Sequence, residues 1–388
     1  MAKISDISVF KVPPRWIFVR VTTDDGRTGW GESIIPKRAD TIVAAIGEMA
    51  ANIKGTDANR IEDIIQRLRR GAFFRNGPIL SSAAAGIETA LWDLKAQANG
   101  LPIYEFLGGA VRNSIRSYAW IGGDSPNDVV EHARQRIAQG FTAVKMNATP
   151  AMSYIAESAL IEEAAARMGA LRDAFGRSLD IALDLHGRVQ RPAMKPLLAE
   201  LEQFHPMWVE EATLPENEES LKVLARAAGS IPVATGERLN NRWEFKRVLD
   251  TGAVDIVQPD ISITGLFELE KIARLAEIYD AAVAPHCPNG PISLAASLQV
   301  GACCQNVAIQ EQSLGLHYNQ GYAGLPKGDL MDYLNDAKPL TVVEGAFQIG
   351  DAPGLGISLN AEAIVSRATD WHLPDADWTR PDGTYAEW

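Results

Sequence analysis

Between residues 115 and 315 the chain repeats one theme eight times: a short apolar run, a polar end, then a helix-like stretch. The runs are Ser117–Ile121, Ala143–Met146, Ile181–Leu185, Met207–Val209, Pro232–Ala234, Ile256–Val257, Ala282–Ala284 and Ala308–Ile309. Strands that alternate with helices build a parallel sheet, and eight such units close it into a (β/α)8 barrel. In the second half the runs lie about 25 residues apart, room for one strand, one helix and two short loops. An open, doubly wound sheet would need a glycine-rich phosphate loop after its first strand. Trp120-Ile121-Gly122-Gly123-Asp124 is a poor match to one. The expected fold class is therefore α/β, a TIM barrel with additions, because 388 residues exceed one average domain.

The additions lie at both ends. Residues 3–33 read as two or three strands: Ile17, Val19 and Val21 alternate with Phe18, Arg20 and Thr22, and Asp24-Asp25-Gly26 supplies a turn. Residues 40–70 and 80–98 read as helices, the second with Ile87, Ala90, Leu91 and Leu94 on one face. After residue 330 come strand-like pieces at Leu340–Val343 and Ala346–Ile349. Trp371, Trp378 and Trp388 carry too much apolar area to stay wet, so the tail is expected to pack.

Composition excludes several classes. With 46% hydrophobic and 22% charged residues the chain can bury a large core. No run approaches the roughly 20 apolar residues that span a bilayer. The start, MAKISDISVFKV, lacks an apolar signal core, so a cytoplasmic location is the default expectation. A net charge of −12 argues against nucleic acid. A small anionic substrate stays open, because a metal ion can reverse the sign of a pocket. Cys287, Cys303 and Cys304 show no CxxC spacing, which argues against a disulfide framework or a zinc site.

The chemistry sits where the runs end. They end in Lys145-Met146-Asn147, Asp184-Leu185-His186, Glu210-Glu211, Glu237-Arg238, Gln258-Pro259-Asp260, His286-Cys287 and Gln310-Glu311-Gln312. In a barrel the C-terminal strand ends converge on one face, so these groups share one bowl. Any one carboxylate alone reads best as a strand-end ion pair. Asp184, Glu210 and Glu237 on successive strands make a hard oxygen site instead, suited to Mg²⁺. Asp260 beside His286 describes a general base with a fixed tautomer. His186 lies two residues after Asp184, on the same strand face, and also points inward. His132, His205 and His372 read as structural, and His317 carries no assignment.

These residues resemble the enolase superfamily in its mandelate-racemase-like branch, and within it most of all the bacterial galactonate dehydratases. The likeness rests on Pro13-Pro14-Arg15-Trp16, Gly29-Trp30-Gly31-Glu32, Gly77-Pro78-Ile79-Leu80, Ala90-Leu91-Trp92-Asp93 and Asp184-Leu185-His186-Gly187-Arg188-Val189. It continues through Gly236-Glu237-Arg238, Ala284-Pro285-His286-Cys287-Pro288, Gln310-Glu311-Gln312-Ser313 and the closing Ala386-Glu387-Trp388. The resemblance implies a modified (β/α)8 barrel at 113–325, closed by an α+β capping domain formed by 1–112 with 326–388. It implies Mg²⁺ on Asp184, Glu210 and Glu237, His286 with Asp260 as base, and His186 as acid. Glu311 would be a protonated donor to the substrate carboxylate, and Lys145 an electrostatic partner of it. Racemases of this branch carry Lys-x-Lys where this chain has Lys145 and Asn147. Asn147 cannot abstract a proton, so a one-base dehydration of a galactonate-like sugar acid is favoured over racemisation. The loops around Arg15-Trp16 and Phe73–Pro78 would line the distal end of the substrate. A homo-oligomer follows by the same analogy, while the acidic charge speaks against a nucleic-acid partner and the lack of a long apolar run against a membrane one.

Two departures bear on the choice of acid. Ala212 stands where the family has proline, and Asp260-Ile261-Ser262 continues as Ile263-Thr264-Gly265 where Ser-His-Ala-Gly-Gly is expected. Gluconate or arabinonate dehydration and lactone cycloisomerisation share the first half-reaction and are the alternatives. A catalytically dead binding protein would have lost a ligand or base, and every expected group is present.

Overall fold

The computed structural model describes residues 2–150, 152–321, 324–373, 378–380 and 382–387. It opens on an antiparallel sheet of β1 (Ile4–Val12), β2 (Trp16–Thr23) and β3 (Thr28–Ser33). Three helices follow: α1 (Ala39–Ile53), α2 (Ile61–Arg70) and α3 (Pro78–Ala98). The stretch 40–70, expected as helix, is broken at 54–60, where Gly55 takes a left-handed φ of 83°.

Strand β3 lies directly on α3, and two glycines of the Gly29-Trp30-Gly31 motif explain how. A Cβ on Gly31 would stand 1.9 Å from the carbonyl oxygen of Gly86, and one on Gly29 2.1 Å from that of Ala90. A backbone clash has no flexible side chain to absorb it. Gly31→Ala should therefore destabilise the fold by about 3 kcal/mol, the upper end for overpacking. Thermal denaturation reads the loss, and an unchanged melting temperature would contradict the close strand–helix contact.

The barrel strands are β4 (Ser114–Trp120), β5 (Ala143–Asn147), β6 (Asp180–Asp184), β7 (Trp208–Glu210), β8 (Val233–Thr235), β9 (Ile256–Val257), β10 (Ala282–Val283) and β11 (Gln310–Glu311). Seven are followed by helices: α4 (Pro126–Ala138), α5 (Ser158–Phe175), α6 (Arg191–Leu201), α7 (Leu221–Ala228), α8 (Arg242–Leu249), the pair α9 (Ile261–Thr264) and α10 (Leu266–Ile278), and α11 (Pro291–Cys303). The ladders run in parallel from β4 to β10, and β11 pairs with β4 on the other side. Val307, just before the last apolar run, closes the ring through a parallel bridge to Val283. Strand β11 itself begins immediately after that run. No eighth barrel helix follows it among the described residues; short 3₁₀ turns take its place. Gly315, Gly321, Gly324, Pro326 and Gly328 explain why, since each disfavours helix in that segment.

The barrel interior is filled by Tyr118, Ala143, Ala182, Trp208, Ala234, Ala284 and Ile309. The rings of Tyr118 and Trp208 meet edge to face with centroids 5.5 Å apart. Small alanines on the other strands make room for these two aromatics, which floor the bowl above.

Strand β12 (Ala346–Gln348) pairs antiparallel with the start of β4. The tail then reaches the N-terminal sheet and helices. Leu355 N–H donates to Asp93 Oδ1 at 3.0 Å, and Thr369 N–H donates to the Lys11 carbonyl at 2.9 Å. Tyr333 packs edge-on against Trp16 and Phe18, at 5.8 and 5.3 Å. Trp371 is buried and Trp378 half-buried, while Trp388 lies outside the described residues. The three cysteines are free and buried. Among the described residues no helix is long and apolar enough to cross a membrane.

Candidate active site

Parallel register sets the site. Asn147 pairs level with Asp184, and Asp184 level with Glu210, so three strand ends stand side by side. Lys145, two residues before Asn147 and 1% exposed, reaches up among the carboxylates. Its Nζ lies 2.7 Å from Glu210 Oε1, 3.0 Å from Glu311 Oε1 and 3.4 Å from Asp184 Oδ2. Burial alone would discharge Lys145, but Glu210, Glu311 and Asp184 raise its pKa well above the ordinary value. The lysine is thus neither a loose rim ion pair nor exposed to the bowl; it is the ammonium at the centre of an acidic cluster.

His186 meets Asp184 by a route that strand alternation did not foresee. It follows the strand end at a left-handed φ of 47°. Its N–H donates to Asp184 Oδ1 at 3.1 Å, and its Nε2 lies 2.9 Å from Asp184 Oδ2. Burial favours the neutral ring, yet the Asp184 charge wins and raises the pKa of His186. Burial would raise Asp184, but His186 and Lys145 pull it below the usual carboxylate range. The ring of Trp120 lies nearly parallel to that of His186, with centroids 6.3 Å apart.

Asp184, His186 and Glu237 each present a ligand atom, and these atoms all lie within 4.8 Å of one another. Glu237 Oε2 is buried with no hydrogen-bond partner among the described residues, a cost that a bound cation would remove. The residues therefore fit a metal ion, but the convergent set differs from the expected one. Glu210 is not in it. Its Oε1 faces Lys145, and its Oε2 accepts from Trp208 Nε1 at 3.0 Å. A fully buried carboxylate needs donors, and these two occupy both oxygens. Burial first, then Asp184, raises Glu210 to a pKa of about 8.

Across the bowl, His286 Nδ1 lies 2.7 Å from Asp260 Oδ2. Asp260 is held in turn by Ser262 N–H at 2.7 Å, Ser262 Oγ at 2.6 Å and Asn289 Nδ2 at 2.9 and 3.0 Å. The departing segment thus lies in a short helix, α9 (Ile261–Thr264), with Asp260 as its N-cap and Gly265 as its C-cap. His286 Nε2 faces the acids, 3.4 Å from Glu237 and 3.9 Å from Glu311. Burial opposes its charge, but Glu237, Glu311 and Asp260 raise its pKa to about 10.

Three expectations need correction. Glu311 was expected as a protonated donor. It accepts from Cys287 N–H at 2.9 Å and pairs with Lys145, both donors. Trp16 was expected at the substrate. It is 0% exposed, wedged among Phe18, Tyr333 and Gly290, where a large ring is most stable. The loop at Phe73–Pro78 was expected over the bowl. Phe73 and Phe74 are 92% and 86% exposed. Ala72, Phe74, Arg75 and Asn76 line an outer cleft of about 1000 Å³ with α8 and α10, which contains none of the bowl residues. Arg15 does reach the catalytic loop: it donates to the Pro288 carbonyl at 2.8 Å and lies over the Tyr318 ring at 5.0 Å. Asn147 Oδ1 is buried and has no hydrogen-bond partner among the described residues, an acceptor beside Asp184.

Sequence reasoning missed Trp208 and Asn289. Trp208 lies two residues before Glu210 on one strand, so alternation could have found it. Asn289 follows His286 in a loop, and no periodicity marks it. His132, His205 and His372 are exposed and lie outside the bowl; His317 is exposed too, its ring tilted against that of Tyr318 with centroids 3.9 Å apart.

Fold and site define a barrel enzyme with acid–base groups gathered at the strand ends. The chain belongs to the enolase superfamily, in the mandelate racemase and muconate lactonizing enzyme family. Residues 7–108 match the mandelate racemase / muconate lactonizing enzyme N-terminal domain, and residues 128–363 the enolase C-terminal domain-like family. The chain is 44% identical to D-galactonate dehydratases of Pectobacterium atrosepticum and Ralstonia pickettii, covering 100% of both partners in each case. A crystal structure of a candidate galactarate dehydratase from Agrobacterium radiobacter, with sodium and L-malate bound, superposes with a TM-score of 0.90 at 30% identity, over 100% of each chain.

Proposed function

We propose that the chain is a hydro-lyase that dehydrates a D-galactonate-like sugar acid to the 2-keto-3-deoxy acid. One observation carries the reading: two histidines, each bound to its own aspartate, face one acidic bowl, and Asn147 stands where a second base would be. The 44% identity to D-galactonate dehydratases supports the choice of acid.

In this reading residues 1–112 and 326–388 cap the barrel at 113–325. Asp184, Glu210 and Glu237 would hold Mg²⁺. When bound, the ion supplies positive charge to the substrate carboxylate and offsets the Glu237 charge that acts on His286. His286 Nε2 removes the C2 proton, and the C–H electron pair moves into an enediolate. Asp260 and Asn289 keep the ring oriented for that transfer. Lys145 sets a fixed positive charge near the developing oxyanions. His186 gives its proton to the 3-hydroxyl as the C3–O bond breaks and water leaves. The enol product then tautomerises. Glu311 orients Lys145 and the Cys287 amide, and Asn147 and Arg15 contact the substrate.

The test is a panel of C4–C6 sugar acids incubated with the protein and Mg²⁺, with 2-keto-3-deoxy products detected. Galactonate should be turned over best. A sample that binds Mg²⁺ but converts no acid would overturn the lyase reading, and preferred conversion of gluconate or arabinonate would reassign the substrate.

A further inference from the structure

Helix α11 begins without a capping side chain of its own. Its N-cap is Gly290 and its first residue is Pro291. Neither offers a side-chain acceptor for the free amides of the first turn. The acceptor comes from the N-terminal sheet instead. Glu32, near the end of β3, takes the Gly290 N–H on Oε1 at 2.6 Å and the Ser293 N–H on Oε2 at 2.9 Å. Both carboxylate oxygens are used, and a negative charge suits a helix N-terminus. The fit leaves no slack: a Cβ on Gly290 would lie 2.7 Å from Glu32 Oε1 and 2.9 Å from Trp16 Cδ2.

The segment just before Gly290 is His286-Cys287-Pro288-Asn289. Its barrel side is tied to Asp260 through His286 and Asn289. Ser313 Oγ donates to the Asn289 carbonyl at 2.6 Å. From the other side Arg15 holds the Pro288 carbonyl and Glu32 the amide that follows. Two charged residues of the N-terminal sheet region therefore grip the loop that carries His286.

We propose that Glu32 is a positioning residue for the reaction: by capping α11 from a different part of the fold, it sets the His286–Asn289 segment and aims His286 Nε2 into the bowl. The inference rests on His286 being the base, as argued above. It explains why a carboxylate is buried at 2% exposure with no cationic side chain bonded to it among the described residues. It also makes the base competent only when the cap is docked.

Glu32→Gln tests this. The amide keeps the size but turns one acceptor into a donor that faces an N–H. Hydrogen–deuterium exchange across residues 284–294 should quicken by about tenfold or more, with Mg²⁺ affinity unchanged, since no proposed ligand lies on that loop. With galactonate, kcat should fall by about 100-fold, the cost of a small misplacement, while KM stays within about threefold. Asp93→Asn is the control. Asp93 is another buried carboxylate of the same region, accepting from Trp30 N–H at 2.9 Å and Leu355 N–H at 3.0 Å, away from the loop. It should lower the melting temperature and leave both loop exchange and kcat in place. Unchanged exchange at 284–294, or a kcat within about threefold of the parent, overturns the role of Glu32. If the Gln variant does not fold, Glu32→Asp, about 1.5 Å shorter, must show the same pattern. If the parent converts no acid, the lyase reading fails and the exchange result alone decides.

Discussion

Replacing His286 by asparagine should cut turnover by about 10²- to 10⁴-fold, the range for losing a general base. Exchange of the substrate C2 proton with D₂O should stop with it. The two readouts belong together because proton removal precedes loss of the 3-hydroxyl. Nε2 is the ring atom facing Glu237 and Glu311, and Nδ1 is committed to Asp260. Asparagine keeps the polar bulk but has no basic nitrogen. Turnover lost with C2 exchange retained would show that another group takes the proton. His186→Asn should give that opposite pattern, turnover lost with exchange kept, because it acts at the leaving group.

The second large effect concerns the metal. Glu210→Gln should weaken Mg²⁺ binding by about 100-fold, and His186→Asn should leave it within about threefold. Isothermal titration with Mg²⁺ alone reads both, without substrate. The geometry makes this a real choice, because the convergent ligand atoms belong to Asp184, His186 and Glu237 while Glu210 faces Lys145. Chemistry favours Glu210, since Mg²⁺ takes oxygen ligands and three carboxylates supply them. The reverse titration result would place His186 on the ion and remove it as the acid. In either case a chelator should abolish turnover, and added Mg²⁺ should restore it.

Much of this was legible before any coordinates. The alternation of apolar runs and helical stretches yields the barrel, and the run ends name almost every group in the bowl. What misled were inferences about direction and exposure. Trp16 and the Phe73–Pro78 loop belong to recognisable motifs, but a motif does not say which way a side chain faces. Glu311 was given a donor's part by resemblance, and only the nearness of Lys145 and the Cys287 amide makes it an acceptor. That no eighth barrel helix follows among the described residues was readable in the glycines there, yet the repeat of the other seven units suggested otherwise.

The sequence by itself determined which chemistry is available: five carboxylates, two histidines, a lysine, and no second base at Asn147. Those are properties of residue type and of strand-end position, which periodicity reports. Only the tertiary structure decided who pairs with whom. Lys145 draws Glu210 and Glu311 because burial forces each charge to find an opposite one. Glu32 caps a helix more than 250 residues away because β3 happens to dock beside it. Such partnerships depend on three-dimensional proximity between distant segments, and nothing in local spacing encodes them.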